Sequence, residues 1–272
     1  MKLAVFGSPV ANSLSPRIHQ KFALQCGLEI EYQAIEATEG EFRGKLALFA
    51  GDGARGCNVT APLKHEAWKL ANRCSESALR AHAANTLVFF GANEWFADST
   101  DGQGLVNDMA SIADCRLEGA RICLLGAGGA AASVLGALLE SKPDSLVVAN
   151  RTRERADELS EMHSELGTVD SCAPNELDTR EPFDVIINAT SLGHSGSAPA
   201  LSPGWLKPDG LVYDMNYGKA AEPLRQLCKQ ENIRYSDGLG MLVEQAALSF
   251  RMWTGKTPDS AEVLRELRGS AA

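Results

Sequence analysis

The chain has 272 residues, 44% of them hydrophobic and 22% charged, which is enough apolar side chain for one large domain or two of ordinary size. Its formal charge of −9 argues against a polyanion-binding surface, so nucleic acid is not an expected partner and an anionic ligand must be held by local cations and backbone amides. Seven scattered cysteines without a C-x-x-C pair, and five histidines without metal-ligand spacing, predict free thiols and no metal site. MKLAVFGSPV is too short an apolar run for a signal peptide, and no run approaches the ~20 apolar residues that span a bilayer, so no membrane partner and a cytoplasmic location are expected.

KLAVF reads as a first strand. In the following GSPVANSLSPRIHQKF, Ser15 and Pro16 read as a helix entrance, a hydroxyl N-cap with proline at the first helical position. That leaves Ser13 unexplained, and two hydroxyls at the positive end of a helix would also suit a small carboxylate; both readings stand on residues alone. EYQAI, the helical EGEFRGKLALFA and GCNVT come next. In GCNVTAPLKHEAW three polar side chains, Asn58, Thr60 and Lys64, crowd one strand-to-helix junction, more than capping requires. NTLVFF and EWFAD, joined across GAN, predict a hairpin, with Asn85 at its mouth. Thr100 and Asp101 precede a helix, where an N-cap is the simplest role for the aspartate.

A first domain boundary is expected in STDGQGLVNDM. Beyond it RICLLG, SLVVAN, TVDSC, DVIINAT, LVYDM and IRYSD alternate with helical stretches such as RERADELSEMHSEL, a pattern of βαβ units and mostly parallel sheet. In RICLLGAGGAAASVLGALLES a buried strand runs through Gly126, Ala127, Gly128, Gly129, Ala130 and Ala131 into a small-residue helix. This is a G-x-G-x-x-A dinucleotide loop in its required context: a tight turn, close backbone approach to a pyrophosphate, and N–H groups at the helix start. The next strand ends in Asn150, Arg151, Thr152, Arg153, Glu154 and Arg155, where an NAD site would carry an acid. Guanidinium groups there suit a 2′-phosphate, which predicts NADP. A second boundary near SDGLGMLVEQAALSFRMW lets the last long helix, with Gln245 in an apolar setting, return to the first domain, so that two helical connections flank a cleft.

Taken together, NSLSP, NVTAPLK, AANTL, STDGQGL, GAGGAA, NRTRER, INATSLG, VYDMNY and DGLGMLVEQAA resemble the shikimate dehydrogenase family in order and spacing from residue 3 to about residue 255. The resemblance implies two α/β domains separated by a cleft: a mostly parallel substrate domain, residues 1–101 with the returning helices 238–272, and a Rossmann NADP-binding domain, 102–237. It implies reversible NADPH-dependent reduction of 3-dehydroshikimate to shikimate, with Lys64 and Asp101 as the catalytic pair. Ser13 and Ser15 would hold the substrate carboxylate, and Asn58, Thr60, Asn85, Asp101 and Gln245, helped by Tyr217, its ring hydroxyls. Gly126, Ala127, Gly128, Gly129, Ala130, Asn150, Arg151, Thr152, Arg155, Thr190, Met215 and Gly238 would line the cofactor, with Glu76 near its nicotinamide. A homodimer is one assembly the resemblance allows.

Three positions depart from the family pattern: Leu63 before the lysine, Ala83-Ala84 before Asn85, and Ser99 within DSTDG, which is expected to shift a hydrogen bond that positions Asp101. The rival readings are a quinate/shikimate dehydrogenase with relaxed cofactor use and a non-catalytic sensor keeping both ligand sites. The sensor's expected signature, loss of Lys64 or Asp101, is not found.

Overall fold

The computed structural model describes residues 1–92, 94–112 and 115–269. The chain divides into two compact units, Met1–Gly104 with Leu242–Ala272, and Leu105–Met241. Both divisions fall inside helices.

The first unit runs through β1 (Lys2–Gly7), α1 (Ser15–Cys26), β2 (Glu31–Glu36), α2 (Glu39–Gly51), β3 (Gly56–Val59), α3 (Lys64–Leu70), β4 (Arg73–Cys74), α4 (Glu76–Ala81), β5 (Thr86–Gly91) and β6 (Glu94–Asp98) into α5 (Asp101–Ser111). The second continues with β7 (Arg121–Leu125), α6 (Gly129–Glu140), β8 (Ser145–Ala149), α7 (Arg153–Met162), β9 (Asp170–Cys172), β10 (Phe183–Asn188), β11 (Leu206–Asp214), α8 (Glu222–Gln230) and β12 (Arg234–Asp237). Then α9 (Leu239–Thr254) leads back to the first unit, which α10 (Ser260–Gly269) completes.

The sheet of the first unit has the order β2-β1-β3-β5-β6-β4. β1 is parallel to β2 and β3, whereas β5 is antiparallel to both β3 and β6, so the hairpin turns an otherwise parallel sheet mixed. Five consecutive buried residues mark β1 as covered on both faces. Its alternate side chains divide accordingly: Ala4 and Phe6 pack with Phe42, Leu46, Leu63 and Trp95, and Leu3 and Val5 with Tyr32, Val88 and Trp253. A Cβ at Gly56 would sit 2.2 Å from the Trp253 indole nitrogen and 2.3 Å from the Leu87 carbonyl, so only glycine lets α9 lie this close to β3. The Trp253 indole N–H also donates to the Leu87 carbonyl. This anchoring presents Gln245 and Ser249 to the ends of β3 and β5. The two-residue β4, parallel to β6, carries no period that sequence reading can detect.

All pairings in the second unit are parallel, in the order β12-β11-β10-β7-β8-β9. The chain starts at the centre, moves outward through β8 and β9, then crosses to β10, which places the switch point between β7 and β10 at the glycine loop. Ile122 and Leu124 face one core layer, Cys123 and Leu125 the other.

Three local expectations need correction. Asp101 is the first residue of α5 and not its N-cap. Ser15 is not an N-cap: Leu14 holds that position without a side-chain cap bond, and Ser15 is the first helical residue. α7 stops at Met162 and does not run through SEL, because the His163 ring takes the Leu159 carbonyl at 3.0 Å, where a further helical N–H would have bonded. No helix among the described residues is long and apolar enough to cross a membrane.

Candidate active site

In the first unit the ends of β3 and β5 and the starts of α1, α3 and α5 bring the polar residues together. Lys64 opens α3 and Asp101 opens α5; Nζ lies 2.5 Å from Asp101 Oδ2, across 37 positions of sequence. The pair is asymmetric: the lysine side chain is 27% exposed and the aspartate 8%, so the ammonium is the group that a ligand can reach. Asn85 Nδ2 donates to the other oxygen, Asp101 Oδ1, at 2.8 Å, and also contacts Gln245 Oε1 at 3.0 Å and Thr100 Oγ1 at 2.9 Å. Asn85 Oδ1 accepts from the Thr100 backbone N–H and the Thr86 hydroxyl, which fixes the way the amide faces.

Asn58 is the hub beneath them. Its Oδ1 accepts from the Tyr32 hydroxyl at 2.7 Å and faces His19 Nε2 at 3.0 Å; its Nδ2 reaches the Asn85 carbonyl, Thr86 Oγ1 and Ser249 Oγ. Every hydrogen-bonding position of this amide has a partner inside the protein, as is also true of Asn85. His19 is fully buried and stacked on Tyr32, and burial pushes its pKa down to about 3, so the ring is neutral and donates from Nε2. Its Nδ1 has no partner among the described residues. Burial likewise raises the Tyr32 hydroxyl well above its ordinary value, opposed by a hydrogen bond from Ser15.

The remaining candidates of this unit are less engaged. Ser13 Oγ accepts the Ser15 backbone N–H, and the half-buried Thr60 hydroxyl has no partner among the described residues. Gln245 Nε2 donates to the Leu242 carbonyl and keeps a second N–H. Ser99 does not bond Asp101: its buried Oγ has no partner among the described residues, and the neighbouring Asp98 Oδ1 instead accepts from the Ser77 hydroxyl at 2.8 Å and from Ser75, the N-cap of α4. Glu76 follows that cap, strongly exposed and paired with Arg80 at 2.8 Å.

In the second unit Gly126 adopts φ +106°, a left-handed conformation that favours glycine, and a Cβ there would press on the Ala189 carbonyl at 3.2 Å. Gly128, Gly129 and Ala130 are exposed, a Cβ at either glycine would meet open space, and no side chain caps α6. These uncapped N–H groups form an anion cradle. At the end of β8, Asn150 Nδ2 holds the Thr152 carbonyl at 2.7 Å and shapes the turn that carries the arginines. Arg153 is committed to Glu176 at 3.2 Å, whereas the exposed Arg151 and Arg155 have no ion-pair partner among the described residues. Thr190 is fastened through its N–H and hydroxyl to Asn188 Oδ1, and a Cβ on Gly238 would lie 2.3 Å from the Met215 carbonyl, so these loops pack backbone to backbone. Behind them Asp214 is fully buried and accepts from Asn188 and Asn216; burial raises its pKa despite these bonds. The half-buried Tyr217 follows Asn216.

Three family models match the chain: the shikimate dehydrogenase substrate binding domain over residues 5–87, shikimate/quinate 5-dehydrogenase over 108–195, and the shikimate 5′-dehydrogenase C-terminal domain over 238–268. The NADP(+) shikimate dehydrogenase of Vibrio atlanticus (strain LGP32) is 45% identical over 98% of this chain and 96% of its own. The chain belongs to the shikimate dehydrogenase family. A second relative, the NADP(+) shikimate dehydrogenase of Dechloromonas aromatica (strain RCB), is 46% identical over 97% of this chain and 96% of its own. The shikimate 5-dehydrogenase of Thermus thermophilus, solved with NADP(H) and shikimate, superposes with a TM-score of 0.85 at 30% identity, covering 98% of each chain.

Within this shikimate dehydrogenase family chain, direct bonds join Lys64, Asp101, Asn85 and Gln245, and Tyr32 bonds Asn58. Glu76 lies in the first unit and Tyr217 in the second, each in the unit opposite to the group it is expected to join. The sequence does not single out His19, Tyr32, Thr86 or Ser249, although two signals are present. His19 stands four residues after Ser15 on α1, and Ser249 four after Gln245 on α9, the spacing that puts side chains on one helix face.

Proposed function

We propose that the protein catalyses the reversible, NADPH-dependent reduction of the 3-keto group of 3-dehydroshikimate to shikimate. The observation that carries this reading is the Lys64–Asp101 pair, a reachable ammonium held by a buried carboxylate that is itself oriented by Asn85. Ser13 and Ser15 would hold the substrate carboxylate, and Asn58, Thr60, Asn85, Asp101 and Gln245, helped by Tyr217, the ring hydroxyls. The uncapped cradle of Gly126 to Ala130 fits a pyrophosphate, and the guanidinium groups of Arg151 and Arg155, without ion-pair partners among the described residues, fit a 2′-phosphate. Asn150, Thr152, Thr190, Met215 and Gly238 would complete the cofactor site.

When bound, the nicotinamide supplies the hydride. Lys64 stabilises the negative charge that develops on the keto oxygen and then protonates it; in the reverse direction Lys64 with Asp101 takes the hydroxyl proton. Asp101 keeps the ammonium aimed and accepts from a neighbouring ring hydroxyl.

Initial rates with shikimate and with quinate, each on NADP and NAD, test the reading. Turnover restricted to shikimate with NADP is expected. Comparable rates on quinate and NAD would place the protein in the broader branch, and tight binding of both ligands without turnover would make it a sensor.

A further inference from the structure

A buried histidine with one unpartnered nitrogen is a cost to the first unit, because an apolar ring of the same shape would fill the space without stranding a polar atom. What its other nitrogen does accounts for its presence. His19 Nε2 and the Tyr32 hydroxyl both donate to Asn58 Oδ1, and that turns the amide so that Nδ2 faces Thr86 and Ser249. With Thr86 Oγ1 accepting from Asn58, its own O–H donates to Asn85 Oδ1 at 3.0 Å. With Oδ1 held by the Thr86 hydroxyl and by the Thr100 backbone N–H, Asn85 presents Nδ2 to Asp101 Oδ1, which leaves Oδ2 for the Lys64 ammonium. Reversing either amide would break bonds on both sides of it, and the Thr86 hydroxyl, which also lies 2.7 Å from Ser249 Oγ, joins the two.

Resting on the function proposed above, we infer that His19, Tyr32 and Thr86 are positioning residues: through Asn58 and Asn85 they form a hydrogen-bond relay that sets the orientation of the Lys64–Asp101 pair. Thr86 and His19 are both 0% exposed, so these two act from within the core, whereas Asn58, at 5%, is about as accessible as Asp101 at 6%.

The test is a kinetic double-mutant cycle between Thr86→Val and Asp101→Asn, with Thr86→Ser as the conservative variant. Thr86→Val keeps the shape and removes the hydroxyl. It should lower kcat by roughly threefold to tenfold, the range expected for losing one neutral hydrogen bond, and change the shikimate KM less than about twofold. Thr86→Ser should restore the rate. In the Asp101→Asn background Thr86→Val should have no further effect, because its target is gone. If Thr86→Val leaves kcat intact, or costs the same factor with and without Asp101, the relay does not act through the pair and the inference is overturned. If Thr86→Val does not fold, His19→Phe, which keeps the stacked ring and loses the Nε2 donor, enters the same cycle with the same criteria. A failure of the underlying function is distinguishable: Asp101→Asn itself would then keep full rate, or the wild-type chain would not turn over shikimate, and both readings would fall together.

Discussion

Replacing Arg151 by alanine isolates the origin of cofactor preference. Three arginines stand within five positions at the end of β8, but they are not equivalent: Arg153 is held by Glu176 at 3.2 and 3.3 Å, and Arg151 and Arg155 are uncommitted among the described residues. A charge-assisted hydrogen bond is worth about 1.5–3 kcal/mol. Because Arg151 is exposed, solvent screening puts its share at the lower end, about 1.5–2 kcal/mol, or roughly a tenfold to thirtyfold loss. Arg151→Ala should therefore weaken NADPH by that factor while leaving NADH, which lacks the 2′-phosphate, nearly unchanged. Arg153→Ala should alter the NADPH-to-NADH ratio by less than about threefold, since its guanidinium is already engaged. Fluorescence titration with each dinucleotide, alongside kcat/KM, gives the two ratios. The Arg151 effect should also shrink as ionic strength rises. Equal losses on both dinucleotides would refute the argument and show that Arg151 supports the turn or the adenine.

Lys64→Ala should lower kcat by about 10²–10⁴, the usual worth of general acid–base catalysis, with NADPH affinity by fluorescence retained; a rate within about threefold of wild type would reduce the lysine to a binding residue. The neutral His19 gives a pH signature. The unfolded chain takes up a proton near pH 6.5 and the folded chain only near 3, so stability is full at higher pH and falls with pH between those values. From pH 7 to pH 5 the loss is about 2 kcal/mol, and urea unfolding of His19→Phe should lack that part of the slope. Gly126→Ala should destabilise the second unit by at least about 1 kcal/mol through its positive φ and the Ala189 carbonyl, seen as a lowered Tm. Gly128→Ala, whose Cβ meets open space, should leave Tm near wild type and weaken NADPH instead, as titration would report.

The second unit is nearly transparent to sequence reading. Its strands are short, bounded and continuous in burial, and most are followed by a helix of their own, so the alternation of RICLLG, SLVVAN and DVIINAT survives projection onto one dimension. The first unit is legible in its elements and hairpin, but not in the part of its chemistry that depends on distant partners. Asn58 reads as a ligand beside Thr60 and Lys64; only the fold reveals that His19, Tyr32, Thr86 and Ser249 also hold its amide, from positions up to 191 residues away. The same holds for the arginines: NRTRER announces three equal cations, and Glu176, 23 residues beyond Arg153, removes one of them. Ser15 misleads for a local reason, since the chain turns helical one residue earlier and uses Leu14 as the boundary.

The first unit is written in two pieces, with the 137 residues of Leu105–Met241 between them. On a ribosome adding about 5–20 residues per second, the sheet built from the first piece must wait on the order of ten seconds for Leu242 and the helices after it. During that interval the face of Leu3, Val5, Tyr32 and Val88 that Trp253 will cover is bare, and the amide of Asn58 has no Ser249 to meet. The second unit is uninterrupted, so its chain is complete before that of the first. Leu242 and the helices after it therefore act as a closing clasp on the unit that β1 begins.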